Sequence, residues 1–70
     1  MSMSEKIRIV LIKRKMTVSG LAEKLNTSSQ NLSGKLSRDN FNEKELTAIA
    51  NALDCTFEAN FTLNGTGEKI

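Results

Sequence analysis

Seventy residues with a formal charge of +2 allow one domain and leave no room for a second core. The chain has no histidine and a single cysteine, Cys55, which excludes a cluster of soft metal ligands and an internal disulfide, and suits a reducing cytoplasm. Without histidine or tyrosine, and with no base beside Cys55 to activate it, there is no basis for nucleophilic or acid–base catalysis, so the chain is read as a non-enzyme without cofactors.

The first predicted element is a helix from Ser4 to Lys15. Ile7, Val10, Leu11 and the stem of Arg14 follow the three-four spacing of one apolar face, flanked by Ile9 and Ile12. Lys13-Arg14-Lys15 falls in its last turn, where cations complement the helix dipole. The apolar run Ile7–Ile12 is too short for a membrane span or a signal sequence, and basic residues follow it where a cleavage site should be. A cytoplasmic location is expected.

Thr17 is the expected N-cap of a second helix, with Met16 and Leu21 placed as a hydrophobic staple. Asn26 tolerates the left-handed conformation of a sharp turn, and Ser28 caps a third helix. Leu21, Leu25, Leu32 and Leu36 are expected to face a common core, with Ala22 where a larger side chain would push the two helices apart. Two short helices joined by so tight a turn are the build of a helix-turn-helix, whose second helix lies in the DNA major groove.

A fourth helix is predicted from Glu43 to about Leu53, burying Leu46, Ile49, Ala50 and Leu53. Asn42 caps it, Glu45 reaches back as the reciprocal partner, and Phe41 staples to Leu46. Cys55, at the end of that apolar face, reads as a small buried hydrophobe.

Beyond residue 55 the period changes. Phe57, Ala59, Phe61 and Leu63 alternate with Glu58, Asn60 and Thr62, which predicts a strand with one apolar face. Asn64-Gly65 is a turn signal with only five residues after it. A lone strand needs a partner for its backbone. The partner is either the last few residues, in a short hairpin, or the same strand of a second subunit. The second option is preferred, because a two-fold dimer would bury Phe57, Ala59, Phe61 and Leu63. Residues 1–55 are thus read as the DNA-binding domain, and residues 56–70 as a tail and dimerisation element.

Charge is segregated. Residues 1–38 hold eight basic and two acidic side chains, net +6, whereas residues 39–70 carry net −4. A basic half that contains the helix-turn-helix fits a polyanionic partner.

Over roughly residues 4–57 the chain resembles the Cro/CI-type (XRE) helix-turn-helix regulators. The resemblance is carried by Thr17, Leu21-Ala22-Glu23-Lys24-Leu25, Asn26-Thr27-Ser28, Leu32 and Ile49-Ala50-Asn51-Ala52-Leu53. It implies a mainly α, four-to-five-helix, lambda-repressor-like domain, here with a short C-terminal β-strand. Asn26 stands where the family often has glycine. Lys35 stands where an apolar residue is frequent, Ser37-Arg38-Asp39-Asn40 replaces the usual acidic residue and glycine, and Val18 replaces a phosphate-contacting glutamine. The third helix, at about 28–37, therefore has no marked end.

Leu32 and Leu36 point inward on that helix, so Ser29, Gln30, Ser33 and Gly34 are the expected base-reading positions. Gln30 can accept from N6 and donate to N7 of adenine, while Gly34 offers only close backbone approach. Thr17, Ser28, Asn31, Lys35, Ser37, Arg38 and Asn40 lie where the family grips phosphates, aided by free N–H groups at helix starts. The expected partners are double-stranded DNA and a second copy of the chain, with no membrane or small-molecule ligand. The expected function is transcriptional regulation, most simply repression. The alternative is an interaction module, antitoxin-like or accessory, that uses the same scaffold to bind protein.

Overall fold

A computed structural model describes all 70 residues. Four helices form, α1 (Met3–Lys13), α2 (Val18–Lys24), α3 (Ser29–Arg38) and α4 (Glu43–Ala52), and there is no fifth. Each starts at a polar side chain that accepts a bond from an otherwise unpaired N–H. Thr17 Oγ1 accepts from Gly20 N–H at 3.0 Å, Ser28 Oγ from Asn31 N–H at 3.1 Å, and Asn42 Oδ1 from Glu45 N–H at 2.7 Å. Glu45 returns the bond by accepting from Asn42 N–H at 3.0 Å, completing the expected capping box.

Helix α1 departs from the predicted Ser4–Lys15 at both ends. Ser2 and Glu5 form a capping box of their own, which starts the helix earlier. Lys15 takes a left-handed conformation (φ +54°), which ends it earlier. Ile7 and Leu11 are buried and Val10 half-buried as expected, while Ile12 is 77% exposed. The Arg14 guanidinium donates to the Asp54 carbonyl at 2.9 Å, tying the end of α1 to the end of α4.

The core is Ile7, Leu11, Leu21, Ala22, Leu32, Leu36, Ile49 and Leu53, one pair from each helix region. Leu25, Phe41, Leu46 and Cys55 pack around it half-buried. Helices α2 and α3 pack together through a turn in which Asn26 is left-handed (φ +59°) and Thr27 N–H donates to the Ala22 carbonyl at 3.0 Å.

The end of α3 is set by tertiary contact. Asp39 is left-handed (φ +52°) as its C-cap, and its carboxylate accepts from Ser4 N–H at 2.8 Å. The buried Ser4 hydroxyl donates to the Leu36 carbonyl at 2.7 Å. An anion at the start of α1 and a hydroxyl on a last-turn carbonyl of α3 thus lock the two helix ends together.

The expected C-terminal β-strand does not form. Residues 56–60 are irregular, lying beside α1 and α4, and the remainder folds back as a hairpin with one antiparallel bridge, Thr62 to Lys69. Phe61 and Ile70 exchange backbone bonds of 2.9 and 2.8 Å. The turn uses Gly65 and Gly67 at φ +95° and +76°, and the few residues after it are too short a run to build a ladder. The chain thus uses the hairpin, the less favoured of the two sequence-based options. No helix is long and apolar enough to cross a membrane.

Candidate nucleic-acid interface

Helix α3 has a buried side, Leu32 and Leu36, and an exposed polar side. With 3.6 residues per turn, Gly34 falls opposite the two leucines, and Gln30, Gly34 and Arg38 run along the outer face at four-residue intervals. Gln30 is exposed on this line, and Ser33 and Ser37 are exposed beside it. The structure therefore brings Gln30, Ser33 and Gly34 onto the outer side of α3, while Ser29 is exposed at the first turn, close to the direction of the buried Leu36.

Gly34 has no side chain, yet its position is not empty. A β-carbon built there would lie 3.2 Å from Nη1 of Arg38 and 3.9 Å from its Cζ. The Arg38 side chain leans back toward the helix start, as helical side chains do, and its guanidinium covers the gap. A mid-helix glycine costs roughly 0.5–1 kcal/mol against alanine, so something other than helix stability accounts for Gly34.

The expected phosphate contacts are less uniform. Thr17 and Ser28 cap their helices through one lone pair, leaving each hydroxyl hydrogen free to donate. Asn31 is exposed but donates through Nδ2 to Thr27 Oγ1 at 2.8 Å. Ser37, Arg38 and Asn40 are exposed at the far end of α3. Lys35 differs: its ammonium pairs with the Glu45 carboxylate on α4, both side chains about a third exposed. This pair joins α3 to α4 by charge.

The bond from Lys35, then the one from Asn42 N–H, holds the Glu45 carboxyl below its ordinary pKa. A carboxyl whose pKa falls on folding stabilises the native state above its unfolded pKa and loses that contribution as pH drops through the folded one. Wild type should thus be more stable than Glu45→Gln at neutral pH. The gap in urea midpoint should close as pH falls below about 4.5, and a gap constant across that range would refute the role given to this pair.

Of the expected dimer residues, Phe57 is half-buried, Ala59 is exposed beside it, and Phe61 and Leu63 are 81% and 43% exposed. Ile70, 68% exposed on the same hairpin, was not among them. The Lys35–Glu45 pair and the Arg38 fold-back were also missed. Both lie between residues in spatial contact, and only the i, i+4 spacing of Gly34 and Arg38 carried a signal.

No curated protein and no solved structure is matched by the chain. A family model, described as Cro/C1-type HTH DNA-binding domain, matches residues 6–59, which span all of α2, α3 and α4 and most of α1. With a helix-turn-helix in place and more than half its length matched, the chain belongs to the Cro/C1-type helix-turn-helix DNA-binding domain family.

Proposed function

We propose that this chain binds double-stranded DNA sequence-specifically in the cytoplasm and regulates transcription, most simply as a repressor that occupies a promoter. It acts as a homodimer, with α3 of each protomer in one of two successive major grooves, about 34 Å apart. The observation that carries this reading is the outer face of α3, exposed and polar on the basic half of a Cro/C1-type domain. Ser29, Gln30, Ser33 and Gly34 meet base edges. Thr17, Ser28, Asn31, Ser37, Arg38 and Asn40 meet the backbone, and Lys35 joins them only by giving up Glu45. Residues 1–55 form the DNA-binding domain. Residues 56–70 form the dimerisation element, for which the exposed Phe61 and Leu63 are the support.

Anisotropy of a labelled duplex, titrated from about 50 to about 200 mM salt, tests the grip on DNA. Affinity should fall steeply over that range, by roughly 3- to 4-fold for each phosphate that a lysine or arginine neutralises. A salt-independent signal contradicts the reading, and no binding at all favours the protein-binding alternative. Light scattering at tens of micromolar tests the dimer; a monomer there removes the role given to Phe61 and Leu63.

A further inference from the structure

We infer that Arg38 is a specificity-determining residue that reads a guanine in the major groove, and that Gly34 is the notch that lets it do so. This deepens the DNA-binding reading above and rests on it, and it moves Arg38 from the backbone contacts to the base-reading ones. Arg38 sits at the last position of α3, where an outstretched side chain would meet phosphate. The structure has it folded instead, with Nη1 at 3.2 Å and Nη2 at 3.8 Å from the site of a Gly34 β-carbon. That moves the charge about one helical turn, roughly 5.4 Å, toward the start of the helix, the end that contacts base edges in a helix-turn-helix. It also brings the guanidinium to the centre of the face opposite Leu32 and Leu36, on the line that begins at Gln30.

The guanidinium is free to act there. The ion pair in the chain is between Lys35 and Glu45, so no carboxylate neutralises Arg38, and its planar fork of donors matches O6 and N7 of guanine. Gln30 suits adenine by the same logic. Together they predict that each half-site contains an A·T and a G·C pair read from one stripe of α3, the glycine between them leaving the space for the arginine.

Arg38→Lys and Gly34→Ala test this separately. Lysine keeps the charge but loses the fork. Alanine raises helix propensity, so Gly34→Ala folds at least as well while its methyl, 3.2 Å from the present Nη1, crowds the guanidinium outward by a few tenths of an ångström. Each protein, wild type included, is used to select bound duplexes from a random library, and the salt dependence of affinity is measured in parallel. Wild type should prefer guanine at one position of each half-site by roughly 5- to 150-fold. Arg38→Lys should lose most of that preference with its salt slope unchanged, and Gly34→Ala should weaken or alter the preference at the same position. If Arg38→Lys keeps the wild-type profile, or weakens all sequences equally, Arg38 is a phosphate contact and the inference is overturned; if Gly34→Ala alone keeps it, the role given to Gly34 is overturned. If wild type enriches no sequence, the DNA-reading proposal falls and this inference with it.

Discussion

Leu21→Ala is expected to lower the free energy of unfolding by about 2–5 kcal/mol, the range for a large-to-small change at a site that cannot collapse. Leu21 is 0% exposed and is the largest fully buried side chain. It sits on α2, which packs against both α3 and α4, so a cavity there is lined from several sides. Only nine of 70 residues are buried, and a chain of this size has roughly 4–10 kcal/mol in total. The variant should therefore lose a fifth or more of its stability. Thermal unfolding followed by circular dichroism should show a melting temperature lower by about 8 °C or more, at roughly 4–8 °C per kcal/mol. Ile12→Ala, at a side chain 77% exposed, should change it little. Equal effects at the two positions would contradict the assigned core.

Gln30→Ala carries the largest expected functional effect. Gln30 is exposed on α3, so its removal should leave the melting temperature within a few degrees of wild type. Affinity for the selected duplex should fall roughly 5- to 150-fold, the worth of one bidentate contact. The loss should belong to one base pair. Against a duplex in which that A·T pair is replaced, wild type and variant should bind alike, and the double-mutant cycle should close with a coupling of about 1–3 kcal/mol. An equal loss on both duplexes would make Gln30 a general contact.

What could be read from the sequence was mostly local. Thr17, Ser28 and Asn42 announce helix starts because the capping bond spans only three residues. Asn26 marks the turn because left-handed backbone favours a short polar side chain. The same chemistry at Ser2 and Glu5 was legible and overlooked, and it moved the start of α1. The end of α3 was not legible, because it depends on Ser4 meeting Leu36 and Asp39 more than thirty residues away. Alternation from Phe57 to Leu63 predicted a strand, but periodicity specifies a face and not a partner, and the hairpin that forms has one bridge. In the candidate site, the exposed face of α3 followed from the leucine spacing. The pairing of Lys35 with Glu45 and the leaning of Arg38 over Gly34 are side-chain geometry, which residue types alone left open.

The most direct test of the central claim is selection of bound duplexes from a random library by the wild-type chain at moderate salt. Sequence-specific recognition by a dimer predicts an enriched inverted repeat with half-site centres about one helical turn, or a whole number of turns, apart. Salt-sensitive binding with no enriched sequence would reduce the interface to a basic surface on phosphates and contradict the reading of α3 as a recognition helix.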